Sequence, residues 1–203
     1  MIIRLRRQQV KATDKQFFIA EDLPRKVDEA NVKKEKKAGN LKVVWISRIA
    51  PKKNLKYAIE ILEETKSDIE FTIYGPAHTE EYWKECKQEL RKLPSNVKWE
   101  WKGNLDSESV VETLKHYHVF LFPTLGENFG HVIQEALSAG CPCIISDQTP
   151  WRDFESQGVG YVFSLENKSA FVNAVEKYAV MKQEEFQNAV EKAHQYAIDV
   201  SNS

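Results

Sequence analysis

Two glutamates lie eight positions apart in the stretch ENFGHVIQEALSAG, residues 127–140, which follows the apolar run VFLFP. The pattern places Glu127 in a loop and Glu135 in the second turn of a predicted helix. Because Glu127 precedes the helix and Glu135 lies on it, we expect the two carboxylates to serve neighbouring groups. They could accept hydrogen bonds from two sets of hydroxyls. They could equally be a favourable charge near a helix start and an ordinary exposed helix residue.

The start of the predicted helix offers a second kind of group. Gly126 and Gly130 bracket the loop, and the backbone N–H groups of Asn128 to His131 would point out of the helix end, with roughly half a positive charge. An anion or a sugar hydroxyl could bind there. The side chain of His131 is better explained as a packing or capping residue than as a base.

Basic residues follow an earlier apolar run, in the loop SRIAPKKN, residues 47–54. Arg48 offers a fork of donors, Lys52 and Lys53 offer point charges, and Pro51 stiffens the turn before the next helix. Such a loop suits a diphosphate, although a solvated basic loop is the plain alternative. The chain contains neither GxxxxGK[ST] nor GxGxxG, so the usual phosphate and dinucleotide fingerprints are missing.

The elements that would position these groups alternate regularly from residue 41. Short apolar runs predict strands, and segments with helical spacing follow each of them. This alternation predicts an α/β fold with a doubly wound, Rossmann-like parallel sheet. Ligands of such sheets bind outside the carboxyl ends of the strands, which here are the loops after Ser47, Tyr74, Lys102, Pro123 and Ser146.

Composition sets further limits. The formal net charge of the 203 residues is −1, which gives no footprint for nucleic acid. No apolar stretch approaches the roughly 18 residues that span a bilayer, and the first residues do not fit a signal peptide, so we expect a cytoplasmic protein.

Three cysteines, Cys86, Cys141 and Cys143, are expected to be reduced and buried. Trp99 and Trp101 alternate on a predicted strand and are expected to lie in the core.

Residues 1–40 differ from the rest. They carry 11 Lys/Arg and 6 Asp/Glu, against 18 and 24 in residues 41–203. KQFFIAEDLP could form one more strand, and the lysine-rich VDEANVKKEKKAGN is typical of an exposed linker. We therefore predict a linker or remnant of a preceding domain in residues 1–40 and one Rossmann-like domain in residues 41–203.

Together, SRIAPKKN, YGP, the run FPTLGENFGHVIQEALSAGCPCIISDQTPWRD and GVGYVF resemble the carboxyl-terminal, nucleotide-sugar-binding domain of retaining GT-B glycosyltransferases of the group 1 type. The resemblance covers about residues 41–198, and its most specific part is the pair Glu127 and Glu135 followed by EALSAGCP. It implies a single GT-B half-domain with a short amino-terminal linker. The enzyme would transfer a sugar from a nucleotide diphosphate sugar, with UDP as the expected nucleotide, to a saccharide acceptor in polysaccharide or glycoconjugate biosynthesis.

The resemblance also implies roles for individual residues. Arg48 and Lys53 would hold the donor diphosphate, and Glu135 would take the ribose hydroxyls. Glu127 would be the catalytic residue at the donor sugar, which the backbone of Asn128, Phe129 and Gly130 would also contact. Three further residues would lie near the nucleotide: Lys102, Gly103 and Thr124. The sequence has no Asp-x-Asp, and we expect neither a required metal nor another cofactor.

Departures from the family pattern define the alternatives. GT-B enzymes have an amino-terminal Rossmann domain that binds the acceptor, and residues 1–40 are too short to form one. The chain would then be the donor half of an enzyme, inactive alone, which is cytoplasmic or peripheral at a membrane in its full form. The alternative is a stand-alone nucleotide-sugar-binding module or one half of a split enzyme. Asn54 also stands where the family usually has glycine after its lysine.

Overall fold

The structure, a computed structural model, describes Val27 and residues 31–202. Its strands are β1 Asn40–Ile46, β2 Asp68–Tyr74, β3 Val97–Trp101, β4 Val119–Phe122, β5 Cys143–Ser146 and β6 Gly160–Phe163. Its helices are α1 Leu55–Glu63, α2 Glu80–Leu90, α3 Val110–Leu114, α4 His131–Ser138, α5 Phe154–Gln157, α6 Lys168–Val180 and α7 Gln183–Ser201. The possible strand in KQFFIAEDLP lies outside the described residues.

All six strands are parallel and form one sheet in the order β3-β2-β1-β4-β5-β6. The predicted doubly wound, Rossmann-like fold is thus confirmed. Chain order reverses between β1 and β4, where Val43 pairs with Val119. The carboxyl ends of these two strands open into the crevice that such sheets use for ligands.

The centre of the sheet forms the core because its strands are covered on both faces. All four residues of β4 and all four of β5 are buried, which explains why their sequences are continuous apolar runs. The largest side chains of this core include Trp45, Phe120 and Phe122, each fully buried. The three cysteines are free and buried, as predicted.

The prediction that two tryptophans of β3 lie in the core is wrong. Trp99 is 37% exposed and Trp101 is 42% exposed, because β3 is the outermost strand of the sheet. One face of Trp101 packs on Trp83 of α2, with 4.9 Å between ring centroids, and its indole N–H donates to the Gly75 carbonyl at 3.0 Å. A pattern of alternating aromatic residues cannot distinguish an edge strand from a central one.

The prediction that the lysine-rich segment before β1 is an exposed linker is wrong for two of its lysines. Lys34 is 6% exposed and donates to the carbonyls of Leu114 and Tyr117 at 3.0 and 2.6 Å. Lys36 is 7% exposed and donates to Ala179 at 2.7 Å. Burial lowers the pKa of both ammonium groups, and helix-end carbonyls compensate the charge.

Side chains of α7 hold the backbone of this segment. Gln187 accepts from the Lys34 N–H at 3.2 Å and donates to the Val32 carbonyl at 2.9 Å. Gln183, one turn earlier, accepts from the Lys36 N–H at 2.6 Å and donates to the Lys34 carbonyl at 2.8 Å. The described part of the segment is therefore packed onto the domain. The domain boundary at residue 40 stays a prediction.

Candidate functional site

The loops that follow β1 and β4 meet at the point where the strand order reverses. The Lys52 carbonyl accepts from the Leu125 N–H at 2.9 Å and from the Thr124 hydroxyl at 3.0 Å. The Asn54 side chain donates to the Pro123 carbonyl at 2.9 Å. These bonds fix two loops that are about seventy residues apart in sequence into one surface.

Asn54, where the resemblance implies glycine, has a backbone that accounts for this expectation. Its φ is 57° and its ψ is 41°, in the left-handed region that glycine adopts most easily and asparagine tolerates. Its side-chain bond across to the β4 loop is one that glycine could not make. Asparagine therefore permits the turn and also links the two loops.

The two cations predicted to hold a diphosphate have different surroundings. Arg48 is exposed, whereas the Lys53 ammonium is 2.5 Å from a Glu127 carboxylate oxygen. These Lys53 and Glu127 side chains are 15% and 17% exposed, and Lys53 also lies 5.8 Å from the centre of the Phe122 ring. Lys53, predicted to bind the diphosphate, and Glu127, predicted to be catalytic, thus form one ion pair. The sequence alone predicts two separate roles for them.

The first residues of the β4 loop are fixed by hydrogen bonds to the loop after β1 and to β5. Thr124 is fully buried, and its hydroxyl bonds to the Lys52 carbonyl, while its own carbonyl accepts from the Ser146 hydroxyl at 2.5 Å. The side chain therefore ties loops together. That Thr124 lies near a bound nucleotide remains a prediction.

Trp151 holds the middle of the β4 loop, although no sequence pattern singles it out as a site residue. It is 3% exposed, and its indole N–H donates to the Phe129 carbonyl at 2.6 Å. The two rings pack nearly edge-to-face at 5.8 Å. The loop after β5, which carries Trp151, makes a second hydrogen bond to the β4 loop. Its Gln148 carbonyl accepts from the Glu127 N–H at 3.0 Å. Glu127 and Phe129 are thereby held on either side of Asn128.

The end of the loop sets the start of α4. Gly130 has a φ of +82°, and a Cβ there would lie 3.0 Å from Cγ of Glu127 and 2.8 Å from a methyl carbon of Ile133. His131 packs on the Phe129 ring with 4.7 Å between centroids, in line with its predicted packing role. Glu135 follows in the second turn of α4 and is 7% exposed.

The loop after β3 forms the third side of the same edge. The Gly103 carbonyl accepts from the Gly75 N–H at 2.7 Å, which ties this loop to the one after β2. Lys102 pairs with Glu100 at 2.9 Å and lies 6.0 Å from the centre of the Tyr74 ring. Lys102 and Gly103 therefore lie at the carboxyl edge, two strands away from the Lys53–Glu127 pair.

Among the described residues, no helix is both long and apolar enough to cross a bilayer. Nor does any group of three or more His, Cys, Asp or Glu side chains within them form a metal site. The arrangement offers cations, carboxylates and backbone N–H groups at one edge of the sheet, a combination that suits a ligand carrying both phosphates and hydroxyls.

Comparisons with known proteins identify the family of the chain. The profile of the family described as glycosyl transferases group 1 matches residues 26–196. A GDP-Man:Man(3)GlcNAc(2)-PP-Dol alpha-1,2-mannosyltransferase of Caenorhabditis elegans is 26% identical over 137 residues, 60% of this chain and 29% of that protein.

Two solved structures share the fold. Anabaena HepE, solved with UDP and glucose, superposes with a TM-score of 0.65 at 18% identity, over 81% of this chain and 47% of its own. The lipopolysaccharide outer core galactosyltransferase WaaB, in its apo form, gives a TM-score of 0.65 at 18% identity, over 89% and 53%. The chain thus spans about half the length of these two proteins.

Proposed function

The chain belongs to the glycosyl transferases group 1 family, and we propose that it is the donor-binding half of a retaining GT-B glycosyltransferase. The observation that carries this proposal is the meeting of the β1 and β4 loops, with Lys53 paired to Glu127 at the strand reversal. The donor would be a nucleotide diphosphate sugar, with UDP as the first candidate because a relative of the same fold was solved with UDP and glucose. The acceptor would be a saccharide bound by a facing domain.

The diphosphate would bind at the loop after β1. Arg48 is exposed and can reach a ligand directly, whereas Lys53 would exchange its partner from Glu127 to a phosphate oxygen. Both cations would offset the charge that develops on the leaving diphosphate. The exchange releases the Glu127 carboxylate to accept from hydroxyls of the donor sugar, so one ion pair would serve two parts of the ligand.

The remaining contacts follow the same edge. Backbone groups of Asn128, Phe129 and Gly130 would contact the sugar, and Glu135 would take the ribose hydroxyls, because vicinal hydroxyls are donors to one carboxylate. The backbone of Lys102 and Gly103 would meet the base. We propose no metal for this chemistry, since the cations of the chain provide the charge.

The test is isothermal titration calorimetry with UDP, GDP and ADP and with their common sugars. We expect one nucleoside diphosphate to bind with a Kd near about 1 mM, or about −4 kcal/mol, because the facing domain is not engaged. Failure of all three nucleotides to bind at several millimolar would contradict the proposal.

Arg48→Ala and Lys53→Ala are expected to weaken the preferred nucleoside diphosphate by about 1.5–3 kcal/mol each, the cost of losing a charge-assisted contact. Affinity for the corresponding nucleoside should not change. Lys84→Ala, which removes an exposed lysine of α2, is the matched control for net charge. Equal losses for nucleotide and nucleoside would place the two cations away from the diphosphate.

Trp151→Phe tests the loop that would hold the sugar. The variant keeps an aromatic ring but leaves the Phe129 carbonyl without its donor, which should lower the free energy of unfolding by about 1–3 kcal/mol. The affinity for UDP-sugar should fall relative to the affinity for UDP, and the affinity for UDP itself should stay unchanged. Tyr196→Phe is the control, since it keeps the ring that packs 6.4 Å from Trp151. Parallel losses for UDP and UDP-sugar would make Trp151 a purely structural residue.

A further inference from the structure

The outer edge of β3 exposes more apolar surface than the proposed function explains. No strand among residues 31–202 pairs with this edge. Of the four large hydrophobic side chains that the structure describes as exposed, two lie on this five-residue strand, Trp99 and Trp101. An unpaired edge with large apolar side chains is a ready template for another strand.

The backbone of β3 is oriented to pair with such a strand. The Asn96 carbonyl accepts from Ile69 at 2.8 Å, and the Lys102 N–H donates to Ile73 at 3.0 Å, so the even-numbered residues face β2. Alternate residues of a strand direct their backbone groups to opposite sides. Trp99 and Trp101 therefore direct both N–H and C=O to the outer edge. Val97 directs its C=O there, and its N–H donates to Pro94 at 2.9 Å.

We propose that β3 pairs antiparallel with β3 of a second copy of this chain, with Trp99 of each copy opposite Trp99 of the other. In this register the N–H and C=O of Trp99 bond to those of Trp99 in the second copy. Val97 lies opposite Trp101, and its carbonyl accepts from the Trp101 N–H of the second copy, while its own N–H keeps its bond to Pro94. The two sheets would join into one across a two-fold axis, which makes the contact self-complementary and closed.

Charge complementarity selects this register. The same symmetry places Lys98 opposite Glu100 of the second copy, in the non-hydrogen-bonded pairs where side chains come closest. Both residues are exposed. Within one chain Glu100 binds Lys102 at 2.9 Å and Thr72 at 3.2 Å, and both contacts use Oε1, so Oε2 can accept from Lys98 of the second copy. The symmetry makes this ion pair twice.

Sedimentation velocity over a wide range of chain concentration is the first test. Two five-residue strands make a small interface, so the dimer should form only at high concentration. We expect the mass to rise from 23.5 kDa towards twice that value. Lys98→Glu should weaken association at least about tenfold, since it places two carboxylates opposite each other in both pairs. The double variant Lys98→Glu/Glu100→Lys restores opposite charges and should restore association.

Oxidative cross-linking tests the register itself. Paired Trp99 positions would have Cα atoms about 5.5 Å apart, which a disulfide can bridge. Trp99→Cys should therefore give a disulfide-linked dimer under mild oxidation. Trp101→Cys should not, because two copies of residue 101 lie four positions apart along the joined strands. Thermal unfolding checks that each variant folds.

Three outcomes would overturn the proposal. The first is a chain that stays monomeric at every concentration. The second is a dimer that is insensitive to Lys98→Glu. The third is cross-linking that is no faster for the Trp99 variant than for the Trp101 variant. None of these measurements depends on nucleotide binding, so they are independent of the proposed donor site.

Discussion

Replacing Gly75 with alanine is expected to lower the free energy of unfolding by about 3 kcal/mol or more. Gly75 has a φ of +128°, which side chains rarely adopt, and a Cβ there would lie 1.7 Å from the Ser47 carbonyl oxygen. The clashing atom belongs to the backbone of the neighbouring strand end, so it cannot move aside as a flexible side chain would. Overpacking and backbone strain therefore add together.

The same substitution should also disturb the candidate site. Ser47 donates to the Tyr74 carbonyl at 3.1 Å, and Ile49 donates to the Pro76 carbonyl at 2.9 Å, so the loops after β1 and β2 are joined on both sides of Arg48. A shift of Ser47 would move Arg48 with it. We expect nucleotide binding to fall even where the variant remains folded.

Gly39→Ala is the matched control. Gly39 also has a positive φ, +87°, but no heavy atom lies within 4 Å of the position that its Cβ would take. Its cost should be the backbone strain alone, roughly 1–2 kcal/mol. Urea unfolding of both variants measures the difference. Equal losses would mean that strain, and not the close approach to Ser47, makes glycine necessary at position 75.

The fold was predictable from the sequence because its signals are local. Apolar runs and segments with helical spacing alternate from residue 41 onwards, which predicts the α/β fold, and the strand order follows the usual rules for parallel sheets. The need for glycine at position 75 was not predictable from such local signals, because it depends on Ser47, a residue of another strand end.

The meeting of the loops after β1 and β4 was predictable, and the contacts between their side chains were not. These loops were expected to carry the candidate site, since ligands bind at the carboxyl ends of parallel strands. The Lys53–Glu127 pair and the Trp151–Phe129 bond join distant residues through side chains, and no periodic pattern encodes either of them. The two wrong predictions have the same origin, because the burial of Trp99 and Lys34 depends on which element lies beside them, and neither residue type nor spacing shows that.

The chain alone is expected to transfer no sugar, and at most to hydrolyse its donor slowly. Transfer requires an acceptor hydroxyl within about 3–3.5 Å of the anomeric carbon, and such positioning contributes on the order of 7–11 kcal/mol to rate enhancement. As a donor half, the chain would form only one side of the cleft. Arg48, Lys53 and Glu127 would bind the donor, but no facing wall would hold the acceptor or exclude water.

A radiolabelled transfer assay measures this directly, with the purified chain, its best-binding nucleotide sugar and a broad panel of saccharide acceptors. A parallel reaction adds any co-encoded Rossmann-fold protein, and Glu127→Gln is the control for background hydrolysis. Transfer that appears only with the added protein would identify a split enzyme, because the acceptor wall would then come from a separate chain. Robust transfer by the chain alone would contradict the donor-half proposal, since it would mean that these residues also bind an acceptor.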